Sequence, residues 1–426
     1  GEMAEGILSL SEHIDYVFSG ESEFSFPNFL KNISNGKNPN NSIIESEICN
    51  NLDDIPFLDY KEFYKQFKLW LPKTIIPLNN IWMPYETSRG CWWGQKNQCT
   101  FCGINGDSIQ FRKKSEDRVV LELKNLLKKH PNKNICMADC NMPNEYYETL
   151  IPRISNEFSD LRIFYELKSN ISLKKVIALK NAGIIAIQPG IESLSNHCLR
   201  LMKKGVSVEQ NIKLLRYARS LDISVAWNML YGIPGDLIEE YINMIKMIPS
   251  LSHLQPPLST SLISIERNSP YFMNPKQYNI KNIQFMTHYN SILPKNADIP
   301  KIAYHFFAEY ESESKNQPHI IKKLTKEIIK WRSSWMANDL PPVLALNELN
   351  QDNYLLLDTR SLKGNQEVNL LNEDQARLVI TGETQKSQEE IDWALKRNYI
   401  LEIDSEFLPL VTARPELLGQ FEQSFT

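Results

Sequence analysis

Several features that would each fix a class of function are scarce or missing in this sequence. No apolar run approaches the ~20 residues that cross a bilayer, and no secretory signal is visible, so a cytoplasmic protein without a membrane partner is expected. Lysine and arginine are scattered rather than blocked, and the formal net charge is -4. A duplex-binding protein normally presents a basic face, so no nucleic-acid partner is expected. Cysteine is sparse, seven in 426 residues, which is no disulfide framework. No internal repeat is visible. The chain opens Gly1-Glu2-Met3, as a tag scar or a start inside a longer protein would. What remains is ordinary globular composition, 42% hydrophobic and 23% charged. The length suits one large enzyme domain plus a smaller one.

Against that scarcity, "ETSRGCWWGQKNQCTFCGING" (86–106) holds Cys91, Cys99 and Cys102 as C-x7-C-x2-C. In a reducing compartment such a cluster holds metal or does redox chemistry. Structural zinc takes four ligands, and an iron–sulfur cubane normally takes four thiolates. Three thiolates leave one iron free for another ligand. Gly90 and Gly103 let the backbone turn closely around a bulky inorganic core. Trp92 and Trp93 either shield the loop or simply pack. A zinc loop completed by Cys136 or Cys140 is the alternative.

From about residue 75 to 270, apolar strands alternate with amphipathic helices. Strands are expected at 81–88, 134–139, 162–168, 184–190, 223–232 and 262–266. Helices are expected at 116–129, 144–157, 173–182, 208–220 and 236–248. This is the pattern of βαβ units and a parallel sheet, and six in a row favour a partial barrel with its working residues on the loops after the strands. Residues 1–35 read as helix, strand and helix, the closing edge of an α/β domain, and 34–56 read as a linker. Residues 271–345 read as mostly helical. Residues 352–426 read as a strand, two helices and a two-stranded wing, like a winged-helix module. Its second helix, "SQEEIDWALKRN", is too acidic for phosphate, which favours a structural or peptide-docking role.

These residues together resemble the radical S-adenosylmethionine superfamily, and within it the cobalamin-dependent branch that matures ribosomally made, bacteriocin-type peptides. The stretches that carry the resemblance are 86–106, "FYELKSN" (164–170), 182–218, "WNMLYGIPGD" (227–236), "HLQPP" (253–257) and "ERNSPYF" (266–272). The seven-residue first gap departs from the commoner three and is itself typical of the branch. The resemblance implies an α/β fold, a radical SAM partial (β/α)6 TIM-type barrel. Its expected divisions are 1–35, the C-terminal edge of a Rossmann-like B12-binding domain; 36–74, a linker and helical connection; 75–310, the core; 311–351, a helical connection; and 352–426, the winged-helix-like module. No D-x-H-x-x-G stretch occurs, so no lower-axial histidine is assigned, and cobalamin is expected in a full-length enzyme more than in this chain. No cysteine follows Cys198, so no C-terminal auxiliary cluster is expected.

The resemblance also implies site roles. Cys91, Cys99 and Cys102 would hold a [4Fe-4S] cluster, with Phe101 beside it. Asp139 and Asn141 would meet the amino group of S-adenosylmethionine. Glu166, Glu192 and Ser193 would meet its ribose, and Gly232, Ile233 and Pro234 its adenine. Arg89, Lys168, His253, Gln255 and Arg267 are candidates for a substrate or cobalamin cavity. The expected partners are a precursor peptide and an external electron donor. The expected reaction is C-methylation of an unactivated carbon through a 5′-deoxyadenosyl radical. A peptide epimerase or cross-linking enzyme is the alternative within the superfamily, with Cys140 or Cys198 as hydrogen donor. A zinc-stapled interaction protein is the alternative outside it.

Overall fold

The computed structural model describes residues 1–71, 77, 80–104, 106, 109–130, 132–336, 340–350, 352–362, 368–383 and 387–423. The chain divides into two compact units. One comprises Gly1–Pro72, Glu86–His130 and Ile263–Glu311; the other comprises Lys73–Tyr85, Pro131–Leu262 and Ser312–Thr426.

In the second unit, strands Met83–Tyr85, Asn134–Met137, Arg162–Glu166, Ile184–Gln188 and Ser224–Val225 form one parallel sheet whose spatial order is the chain order. A doubly wound sheet would reverse its order midway; this one does not. Ile135, Ile163, Tyr165, Ile184 and Ile187 are fully buried along it. Two of the helices between the strands start at a capping serine. Ser172 accepts from the Lys175 N–H ahead of Leu173–Asn181, and Ser207 forms a capping box with Gln210 ahead of Val208–Ser220. Such a cap stabilises a helix by about 1 kcal/mol.

The expected fifth strand, 223–232, is broken. The Ala226 N–H still donates to Ile187, but the Met229 N–H turns to Ser259. Met229–Tyr231 then pairs in parallel with Thr260–Leu262, and Glu192 bridges to Met229. The sixth parallel strand is therefore Thr260–Leu262, not 262–266. Ile265–Glu266 belongs to the first unit, antiparallel to His305–Phe306.

The C-terminal part of the second unit contains helices Glu373–Thr381 and Gln388–Lys396 and the hairpin Ile400–Ile403 with Glu406–Pro409. It also contains a four-stranded sheet, ordered Val368–Asn372, Asn353–Asp358, Leu344–Asn350, Thr412–Ala413. Buried polar side chains tie this part to the helices around the parallel sheet. Arg216 donates to the carbonyls of Val411 and Ile380, and a His253 ring nitrogen lies 2.8 Å from the Leu410 carbonyl. Arg360 forks onto Asp358 and donates to the carbonyls of Ser250 and Asn398.

In the first unit, Val17–Ser19 and Ile43–Glu45 pair in parallel across helix Ser25–Ser34. The stretch 34–56, expected as linker, thus holds a strand of a βαβ unit. The expectation of a mostly helical 271–345 is also corrected. Lys281–Phe285 and His305–Glu309 are antiparallel strands. In the latter, Phe306 and Ala308 are buried while Phe307 is exposed, the period of two that a strand requires. Helix Pro318–Met336 in the second unit forms as expected.

The Arg360–Asp358 side chains are both fully buried. Asp358→Asn leaves the guanidinium without its counter-charge, and breaking such a pair costs about 3–5 kcal/mol. The expected result is a loss of that size in the unfolding free energy of the second unit, read by denaturant titration.

Candidate active site

The cysteine loop lies in the first unit. Cys91, Cys99 and Cys102 are half-buried and outside any disulfide, and Phe101 is half-buried between the last two. Cys91 caps helix Trp92–Asn97, its sulfur accepting from the Gly94 N–H. Trp92 and Trp93 meet edge to face with centroids 6.3 Å apart.

The rest of the loop leans on 266–271, a segment in which the sequence singled out Arg267 as a cavity candidate and not as a support of the loop. The Gly103 N–H donates to Glu266 Oε2 at 2.8 Å, and the Tyr271 N–H donates to the Thr100 carbonyl at 3.0 Å. Gln98 donates to the Cys102 carbonyl at 2.9 Å. A Cβ at Gly103 would lie 1.8 Å from the Arg267 carbonyl oxygen, and one at Gly90, where φ is +77°, would lie 2.3 Å from that of Gln110. Both glycines are demanded by close backbone approach.

Ahead of the loop, Arg89 pairs with Glu86, Glu21 and Glu23, and Arg112 pairs with Glu21 and donates to the Cys49 carbonyl. Burial pushes the Glu21 carboxyl up, but the Arg112 guanidinium, the Cys49 N–H and Arg89 outweigh it and leave the pKa at about 2.

Among the described residues, no three His, Cys, Asp or Glu side chains converge as ligands of a single ion. One zinc needs such convergence, at about 2.0–2.3 Å from the metal. In a cubane each thiolate binds a different iron, so its cysteines stand further apart. Three thiols on either side of one short helix, in a loop whose backbone tolerates no Cβ at Gly90 or Gly103, suit the larger group.

The carboxylates lie in the second unit, at or just beyond the carboxyl ends of its second, third and fourth parallel strands. Asp139 is buried and accepts from the Tyr165 hydroxyl at 2.9 Å. Asn141 is buried, and its Oδ1 has no partner among the described residues. Glu166 is half-buried. Burial first, then the charges of Asp139 and Glu192, push its pKa up to about 7, with Lys204 opposing. Glu192 has φ +60° and faces Lys204 Nζ at 3.6 Å. A non-glycine residue held in that region marks a position the surroundings over-determine. Mutually repelling carboxylates and an orphaned buried acceptor suit a cationic, N–H-bearing ligand. S-adenosylmethionine carries both an ammonium and a sulfonium.

Other candidates are engaged elsewhere. Ser193 is fully buried, accepts from the Ser195 N–H and faces Met244 sulfur. The Gly232 N–H donates to Ser314 Oγ, and the Ile233 N–H donates to Asp236 Oδ2. Pro234 has no N–H, so this turn offers no free peptide donor. Arg267 donates to the carbonyls of Ala303 and Pro300 and pairs with Glu2. Lys168 donates to the Lys204 carbonyl, and Gln255 holds the Val225 N–H. With Arg89 and His253 described above, these polar groups serve the scaffold.

Residues 85–248 match the Radical SAM superfamily. That stretch is a radical SAM domain. The cofactors of such a domain are a [4Fe-4S] cluster and S-adenosylmethionine. An uncharacterized methyltransferase of Pyrococcus horikoshii is 26% identical over 261 residues, 56% of this chain and 53% of its own length. The hopanoid C-3 methylase of Methylococcus capsulatus is 25% identical over 321 residues, 70% of this chain and 58% of its own. The chain thus spans little more than half of either relative. Two solved structures share the fold. The radical S-adenosylmethionine methyltransferase TsrM of Kitasatospora setae, with tryptophan and a SAM analogue bound, aligns with a TM-score of 0.55 and 14% identity, covering 76% of this chain and 69% of its own. The cobalamin-dependent radical enzyme OxsB, with aqua-cobalamin bound, aligns with a TM-score of 0.52 and 15% identity, covering 69% and 48%.

Two outcomes are expected. Gly103→Ala forces the loop off the Arg267 carbonyl, a strain of roughly 1–3 kcal/mol, and the variant loses most of its iron and sulfide after anaerobic reconstitution. Gly94→Ala, whose Cβ meets the Ile109 side chain at 3.1 Å and the Cys91 Cβ at 3.4 Å but no backbone, keeps them.

The second concerns pH. Glu166 has a folded pKa raised from 4.5 to about 7, so the native state holds its proton more tightly and stability falls as pH rises through that window. Glu166→Gln should melt a few degrees above the parent protein above pH 7 and show no advantage below pH 4.5.

Proposed function

We propose that this chain is the radical-generating part of a cobalamin-dependent C-methyltransferase that matures a ribosomally made peptide. The observation that carries the radical half is the three-thiolate loop. In this reading Cys91, Cys99 and Cys102 hold the cluster. Asp139, Asn141, Glu166 and Glu192 receive the amino group and ribose hydroxyls of S-adenosylmethionine, and the 232–234 turn receives its adenine. When bound, cluster and S-adenosylmethionine supply a carbon-centred radical, and cobalamin supplies a methyl carrier. The chain's own residues bind, orient and exclude competing reactions.

Methyl transfer is supported by the names of both curated relatives and by TsrM's. Cobalamin is supported by the βαβ edge at Val17–Glu45 and by the likeness to OxsB. A peptide substrate is supported by the resemblance carried by 86–106 and 182–218. It is also supported by the hairpin Ile400–Pro409, whose strands pair only with each other among the described residues. An extended peptide can add to such an edge. A reductant from another protein would supply the electron.

The test supplies reconstituted protein with S-adenosylmethionine and reductant, with and without added cobalamin, and measures 5′-deoxyadenosine and S-adenosylhomocysteine. The reading expects deoxyadenosine in both mixtures and cobalamin-dependent S-adenosylhomocysteine. Deoxyadenosine alone would move the protein to epimerisation or cross-linking, and neither product would sink the proposal.

A further inference from the structure

The parallel sheet has a second end. Arg162 opens its third strand, Ile185 stands near the start of the fourth and Ser224 opens the fifth. These amino ends lie opposite the carboxylates, and they line a pocket of about 590 Å³ within the second unit. Its wall is apolar, with Leu215, Ile223 and Val225 buried behind it. Its charged lining is mainly cationic: Arg162, Lys180 and Arg219 against the carboxylate of Asp222.

Two of these cations come from the last turns of helices, Lys180 from Leu173–Asn181 and Arg219 from Val208–Ser220. A cation there is favoured by the helix dipole. Lys180 serves its neighbourhood in that way, its Nζ donating to the Asp222 carbonyl at 2.9 Å. Arg219 does not. It is half-buried, and its guanidinium carbon lies 4.9 Å from the centre of the Trp335 ring. Stacking engages the face of a guanidinium and leaves the N–H groups in its plane. Among the described residues those N–H groups have no acceptor, and the exposed Arg162 guanidinium has none either. Burial pushes the Arg219 pKa down, with the Asp222 charge opposing.

A partly desolvated guanidinium without an acceptor is costly, and its planar fork suits an oxyanion. Three cations against one carboxylate leave two positive charges on the lining. A phosphate monoester carries about −1.5 to −2 at neutral pH. The volume falls in the range of small-molecule sites, roughly 300–1,000 Å³.

We propose that this pocket binds a phosphate group, free or carried by a small molecule, with Arg219 and Arg162 holding it and Trp335 fixing the plane of the Arg219 fork. The site is separated from the strand-end carboxylates by the length of a strand, about 15 Å. It does not depend on the function proposed above.

The experiment is isothermal titration calorimetry of the reconstituted protein with inorganic phosphate and with glycerol 3-phosphate, with and without saturating S-adenosylhomocysteine. At least one phosphate compound should bind saturably, with a Kd of about 1 mM or below, and S-adenosylhomocysteine should not displace it. Equal affinity for the two identifies free phosphate as the ligand, and tighter binding of the ester identifies an organic phosphate. Arg219→Met should weaken binding by about tenfold, the order expected for one charged hydrogen-bonding group. Arg162→Met, at an exposed position, should act in the same direction and serves if the first variant does not fold. Lys246→Met, which removes the same charge outside the pocket, should bind as the parent does. No saturable binding of either compound would overturn the inference. So would affinity unchanged in folded Arg219→Met and Arg162→Met, an equal loss in Lys246→Met, or displacement by S-adenosylhomocysteine.

Discussion

Electrostatic repulsion among carboxylates at the strand ends is the constraint on which the account turns. Asp139, Glu166 and Glu192 stand where successive parallel strands finish, in surroundings dry enough to push Glu166 up to about pH 7. A fold that sought only stability would not gather like charges there. Lys204 opposes the effect and does not abolish it, and Asn141 adds an acceptor with no donor among the described residues. The arrangement is satisfied by a ligand carrying positive charge and N–H groups, and the sequential parallel sheet is what brings the three strand ends together.

The protein manages its other buried charges differently. Asp236 is neutralised by donors, and Arg216 and Arg360 cap backbone carbonyls. Arg89 and Arg112 share Glu21 ahead of the cysteine loop. Each of these is closed on itself. The strand-end carboxylates repel one another instead.

Much of the helical framework was legible because amphipathic period and serine caps agree. Glu116–Lys129 and Val208–Ser220 begin and end where the pattern says. The sixth strand was misplaced because alternation runs on through 260–266, and which partner a short strand takes is decided by tertiary contact. The same holds for Lys281–Phe285 and His305–Glu309, each stabilised by the other across about twenty intervening residues. In the site, residue types and spacing located the thiols and carboxylates. They could not separate binding groups from supporting ones. Arg267 and His253 have the polarity of ligand-binding groups yet face carbonyls of their own chain. Glu266 and Ser314 support the cysteine loop and the glycine turn from 163 and 82 residues away, a pairing that no local motif announces.

The central claim is that Cys91, Cys99 and Cys102 hold a cubane with one iron open to S-adenosylmethionine. Electron paramagnetic resonance of the reduced, reconstituted protein tests it most directly, recorded with and without S-adenosylmethionine and repeated on Cys99→Ala. The account predicts a reduced-cluster signal that changes shape when S-adenosylmethionine is added and disappears in the variant. A signal indifferent to S-adenosylmethionine, or a colourless protein holding one zinc, would contradict it.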